Sequence, residues 1–123
     1  MKLTKNFSKS EFDCSCGCEM PLKVLHNVQK LANQLQTLRN VVGMPIKINS
    51  GYRCPDWNSK IGGASSSQHK LGKASDIVIE DMTPQETFEL IDLLINEGEL
   101  LQGGLSAYAT FTHYDIRKTK ARW

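Results

Sequence analysis

No apolar stretch in this chain approaches the roughly 18 residues that a membrane-spanning helix needs, which argues against insertion into a membrane. The first ten residues, MKLTKNFSKS, start basic but carry no apolar h-region, so no secretory signal is expected. Charge of one sign is scarce too. Fifteen Lys and Arg against 13 Asp and Glu leave a formal +2, too little to argue for a nucleic-acid partner. The C-x(2)-C spacing of metal knuckles is missing, although four cysteines are present at Cys14, Cys16, Cys18 and Cys54. Three readings of them stay open: reduced, partly buried thiols, a disulfide from the cluster to Cys54, or a structural zinc held by several thiolates. No thiol is set beside a base, which excludes a cysteine nucleophile. What remains is 40% hydrophobic and 23% charged over 123 residues, an ordinary globular composition. That length suits one domain, residues 1–123, with a modest core.

The informative stretch runs from Gly63 to Ile79, GASSSQHKLGKASDIVI. His69 follows a polar Ser-Ser-Ser-Gln run and precedes Lys-Leu-Gly-Lys, a poor setting for a core side chain. Asp76 opens an apolar, β-branched segment, where a carboxylate is unwelcome unless paired or bound. Convergence of the two on one ion explains both. A third ligand comes late, in FTHYDIR, Phe111 to Arg117. This segment alternates as a strand does, with Phe111, His113, Asp115 and Arg117 on one face. Two imidazoles and one carboxylate are the ligand set of a catalytic zinc site, in which a fourth position stays open.

The order S-x-H-x(6)-D at Ser67, His69 and Asp76, then H-x-D at His113 and Asp115, resembles the zinc D-alanyl-D-alanine peptidases. More closely, it is similar to their small single-domain branch, found in phage lysis enzymes and bacterial cell-wall hydrolases. The resemblance extends over NFSKSEFDCSCGC, INSGYRCP, SSQHKLGKASDI and THYDIRKTKARW. It implies that His69, Asp76 and His113 bind Zn2+. It also implies an α+β fold, a small antiparallel sheet packed against helices, as in DD-peptidase and hedgehog-like zinc folds. The implied substrate is the peptidoglycan stem peptide, cut by carboxypeptidase or endopeptidase action. The implied setting is a monomer made in the bacterial cytoplasm and released to the wall by a phage-type route. A non-catalytic wall-binding module of the same fold is the alternative, and a zinc-stabilised interaction domain built on the cysteines is a third.

Several residues carry two readings. A short strand, Ile46 to Asn49, delivers Ser50 to Arg53 into a loop, and Arg53 is either a surface charge or a group that polarises the scissile carbonyl or pairs with a substrate carboxylate. S-G-Y-R resembles the family's motif ahead of the metal ligands, which favours the second. Ser67 and Gln68 either bind substrate backbone or cap their own loop. Several relatives carry an acid three positions before the last His ligand; here Thr110 stands there and cannot act as a base. Asp115 is the substitute, either as the general base or as a group that orients a ligating imidazole.

The remaining pattern is structural. Phe7 and Phe12 anchor an irregular N-terminal segment. Pro21 starts a helix whose stripe is Leu25, Val28, Leu31, Leu35, Leu38 and Val42, closed by Gly43. His26 lies off that stripe and is expected in solvent. Asp56 and Asn58 read as turn residues, and residues 57–67 as a loop in which Gly62 and Gly63 supply unusual backbone angles. Gly72 and Ala74 are small, as chain crowding a metal centre requires. Thr83, Pro84 and Glu86 form a capping box ahead of Phe88, Ile91, Leu94 and Ile95, a second helix ended by Gly98.

Overall fold

The apolar stripe on residues 25–42 folds as the long helix α1, Leu22–Val42, in a computed structural model that describes residues 1–123. Val28, Leu31, Ala32, Leu35 and Leu38 are buried along it, and His26 is exposed. Gly43 ends the helix at φ 67°, its N–H donating to the Arg39 carbonyl at 3.0 Å. Pro21 sits in the extended capping position, one residue before the first turn.

Five strands follow, interleaved with two further helices: β1 Ile46–Ser50, α2 Pro55–Lys60, β2 Ala74–Ile79, α3 Pro84–Asn96, β3 Gly104–Ala107, β4 Thr112–Asp115 and β5 Ala121–Arg122. The strands form one sheet in the order β1-β2-β4-β3-β5. All pairings are antiparallel except that of β5, which runs parallel to β3 at the edge. Two residues carry no readable period, and Arg122 secures this strand instead. Its guanidinium reaches Asp92 Oδ1 at 2.9 Å and the Gly103 carbonyl at 2.7 Å.

Alternation separates the two faces of the sheet. Ile77, Ile79, Leu105 and Tyr114 turn to one side and join a single 20-residue core cluster with α1, α3 and the N-terminal Phe7 and Phe12. Asp76, His113 and Asp115 turn to the other. Register then brings them together, because Asp76 pairs directly with His113, and Ala74 with Asp115. Helix α3 starts with Thr83 Oγ1 accepting from Glu86 N at 3.1 Å and Glu86 Oε1 accepting from Thr83 N at 2.8 Å, the capping box expected from its sequence.

Three local expectations change. Pro55–Lys60 is a short helix, with Cys54 Sγ accepting from Trp57 N at 3.4 Å; six residues are too few to show an apolar stripe. Gly72 is small because of α1, not because of the ion: a Cβ there would lie 2.7 Å from Val24 Cγ1 and 2.9 Å from the Val24 carbonyl oxygen. Gly63 serves close approach, because a side chain would collide with the Asn58 amide, whereas Gly62 does adopt a positive φ of 75°.

Candidate metal centre

His69 lies in a 3-10 turn, Gln68–Leu71, whose entry is capped by Ser67 Oγ accepting from His69 N at 3.2 Å. The His69 ring is buried, and its Nδ1 sits 2.7 Å from the Gly51 carbonyl oxygen. A carbonyl only accepts, so Nδ1 carries the proton and Nε2 presents its lone pair. That lone pair faces Asp76 Oδ1 at 3.2 Å. His113 is arranged the other way round. Its Nε2 donates to Asp115 Oδ2 at 2.7 Å, which leaves Nδ1 as a lone pair 3.1 Å from the same Asp76 oxygen.

The three ligand atoms therefore lie within 4.8 Å of one another, two nitrogen lone pairs and a carboxylate oxygen with no proton among them when both rings are neutral. Only a cation satisfies all three. Nitrogen and oxygen donors of this kind, with the remote N–H of each imidazole held in place, fit zinc, and three protein ligands leave a position open. A proton is the competitor. Burial disfavours charge on His113, but its hydrogen bonds to Asp115 and Asp76 outweigh that and raise its pKa above the ordinary histidine value. Burial likewise opposes ionisation of Asp76, yet once the rings take up a proton the hydrogen bonds from His113 and His69 hold its carboxyl well below the usual carboxylate range.

Arg53 braces the second oxygen of Asp76, with Nη2 3.3 Å from Oδ2. Its own position is fixed by Ser50 Oγ at 3.2 Å from Nε and Asn58 Oδ1 at 3.3 Å from Nη1. Asn58, read from sequence as a turn residue, is 2% exposed and also donates to the Ala64 carbonyl at 2.9 Å. It thus ties Arg53 to the loop that carries Ser67 and Gln68. Nothing in its local sequence signals this.

Asp115 is fully buried. Beyond His113, its oxygens accept from Gly104 N at 2.8 Å, Arg117 N at 3.1 Å, Arg117 Nε at 2.9 Å and Arg117 Nη2 at 2.7 Å. Any side chain on residue 104 would run into this carboxylate, which accounts for Gly104. Burial opposes its ionisation, but His113, Arg117 and the Gly104 backbone prevail and hold its carboxyl well below the usual range.

A cavity of about 400 Å³ opens over the ligands, lined among others by Arg53, Ser67, Gln68, His69, Asp76 and His113. Asp115 and Thr110 do not line it. An aromatic wall completes it; alternation puts Phe111 on the His113 face, but nothing in the sequence joins it to Tyr108 and Trp123. Tyr108 and Phe111 stack with centroids 4.7 Å apart, and Trp123 Nε1 donates to Tyr108 Oη at 2.7 Å. The Trp123 ring lies 5.1 Å from that of His113, with Arg117 5.2 Å over its face.

A family model described as Peptidase M15 matches residues 5–115, a span that takes in every one of these ligands together with Arg53 and Asp115. The chain belongs to the Peptidase M15 family. The M15 assignment agrees with the mixed helix-and-sheet architecture and with the His69–Asp76–His113 cluster. A zinc D-Ala-D-Ala carboxypeptidase of Streptomyces albus G is 44% identical over 45 residues, which are 36% of this M15 chain. The match spans only 18% of that protein's own length.

Proposed function

We propose that this chain is a zinc-dependent peptidase acting on the stem peptides of bacterial peptidoglycan, at a bond next to D-alanine. The observation that carries this reading is the convergence of two oriented imidazole lone pairs and one carboxylate oxygen at the base of an accessible cavity. Membership of M15 supports peptidase chemistry, and the D-Ala-D-Ala specificity of the Streptomyces relative supports the substrate class. Zinc bound there supplies Lewis acidity and brings the pKa of water down to about 7.

The chain's own groups divide the remaining tasks. Arg53 faces the cavity beside Asp76 and presents donors to a substrate carboxylate or to the scissile carbonyl. Ser67 and Gln68, at the cavity edge, offer hydrogen bonds to the substrate backbone. Of the two roles open to Asp115, orienting His113 is the better supported. Its oxygens are taken up by donors from His113, Arg117 and Gly104, and it does not reach the cavity. Tyr108, Phe111 and Trp123 offer apolar contact to the peptide.

One feature favours the second reading, a wall-binding module without turnover: Asp76 is the sole carboxylate lining the cavity. Incubation of the zinc-loaded protein with a D-Ala-D-Ala-terminated pentapeptide and with isolated murein separates the two. Free D-alanine marks a carboxypeptidase, whereas new amines without free D-alanine mark an endopeptidase. Cosedimentation with murein and no product would establish the binding module.

A further inference from the structure

The four cysteines gather from two distant parts of the chain. Cys14, Cys16 and Cys18 come from the irregular N-terminal segment, and Cys54 caps α2. Cys14 Sγ lies 3.3 Å from Cys16 Sγ, which lies 3.6 Å from Cys54 Sγ, and all four sulfurs fall within 4.8 Å of one another. A tetrahedron with zinc–sulfur arms of 2.3 Å has sulfur–sulfur edges of about 3.8 Å, so the four thiols already approximate that figure. Two backbone N–H groups point at the sulfurs, Cys54 N at Cys14 Sγ and Trp57 N at Cys54 Sγ, both at 3.4 Å. Such donors stabilise thiolate charge.

We propose that Cys14, Cys16, Cys18 and Cys54 hold a second, structural zinc ion in a closed four-thiolate site. Four ligands leave no open position, which distinguishes this site from the His69–Asp76–His113 cluster. Two disulfides account less well for the arrangement, because each sulfur has three near neighbours and no pair stands apart. The spacing C-x-C-x-C is unlike a C-x(2)-C knuckle because the fourth ligand comes from Cys54. Gly17, at φ 81°, provides the turn that brings Cys18 back beside Cys14 and Cys16.

Position explains the use of such a clamp. Cys54 follows Arg53 directly, and the same N-terminal segment is hydrogen-bonded to the chain two residues earlier, Tyr52 N donating to the Phe12 carbonyl at 2.8 Å. A metal joining Cys54 to Cys14, Cys16 and Cys18 therefore fixes both sides of the strand end that presents Arg53 to the cavity. This inference is independent of whether the other centre turns over substrate.

The decisive sample is His113→Ala, which loses the other centre and keeps the thiols. Purified under reducing conditions, it should carry about one zinc per chain, with its four thiols unreactive towards a disulfide reagent until a strong chelator is added. Its cobalt-substituted form should show the near-ultraviolet charge-transfer band of cobalt–thiolate bonds. Cys16→Ser should lose that band and that metal equivalent while wild type holds about two. A metal-free His113→Ala protein with four freely reactive thiols overturns the proposal, and so does a native mass lower by two or four hydrogens. Should Cys16→Ser not fold, the His113→Ala measurement still decides.

Discussion

The two clusters are assembled by opposite means. His69, Asp76 and His113 are placed by sheet register and a 3-10 turn, and their rings are oriented by the Gly51 carbonyl and by Asp115. All three are buried, and their lone pairs converge before any ion arrives. Cys14, Cys16 and Cys18 lie outside the sheet, in a segment without regular hydrogen bonding, and Cys16 is exposed. The first cluster is a consequence of the fold. The second, on the proposed reading, adds to the fold, because an ion joining four thiolates ties the turn that carries Cys14, Cys16 and Cys18 to Cys54. An open site framed by sheet register suits chemistry, and a closed site joining two distant segments suits stability.

The largest effect should come from His113→Ala. Lewis acidity is worth several kcal/mol, so hydrolysis of a stem peptide should fall by about a thousandfold or more, while circular dichroism and the cooperative melt persist. Loss of the fold in His113→Ala together with an unaffected melt in Cys16→Ser would reverse the comparison between the two clusters. Next in size is Asp115→Asn. Removal of a group that orients a metal-binding imidazole costs about 10- to 100-fold in metal affinity or activity. Zinc affinity and turnover measured together should fall in step. A turnover loss at unchanged zinc affinity would instead make Asp115 a participant in proton transfer.

How much of this was legible depends on whether a residue was out of place locally. His69 in a polar loop, Asp76 at the head of an apolar strand and His113 in an alternating segment each conflict with their surroundings, and together they point to one ion. Helices α1 and α3 were equally legible, since Leu25 to Val42 repeat at helical spacing and Thr83, Pro84 and Glu86 form a cap. Asn58 was not, because a buried asparagine that braces an arginine looks like any turn residue until Ala64 and Arg53 are placed around it. Nor was the aromatic wall: Tyr108 and Trp123 meet only after β5 has paired with β3. For Asp115, alternation gave the direction of the side chain. Only the arrival of Gly104 N and both ends of the Arg117 guanidinium showed how fully it is engaged.

Acid unfolding of the metal-free protein gives a finer test of that engagement. The Asp115 pKa is lowered in the fold, so its contribution to stability is present above about pH 4 and is lost as pH falls towards the lowered value. Wild type should therefore lose stability between about pH 5 and pH 3 more steeply than Asp115→Asn. On unfolding, Asp115→Asn should take up fewer protons than wild type, the difference growing from near zero at about pH 5 to nearly one at about pH 3, read from denaturant midpoints across that range. Asp76, whose pKa is also lowered, keeps the slope of the variant from vanishing. Identical slopes would mean that Asp115 is not held ionised by His113 and Arg117.

The smallest expected effect sets the scale for the rest. Thr83 caps α3 through the Glu86 backbone, on an exposed part of the surface, and touches neither cluster. Thr83→Ala should cost about 1 kcal/mol, a few degrees in Tm for a domain of this size. Because α3 packs on the core face of the sheet, that loss should leave both the register of Asp76 against His113 and the cysteine cluster intact. Metal content and turnover at 25 °C should therefore equal those of wild type. A fall in zinc content in this variant would show that the ligand cluster depends on global stability, and the losses in His113→Ala and Asp115→Asn would then have to be corrected for unfolding before they could be assigned to the ligands themselves.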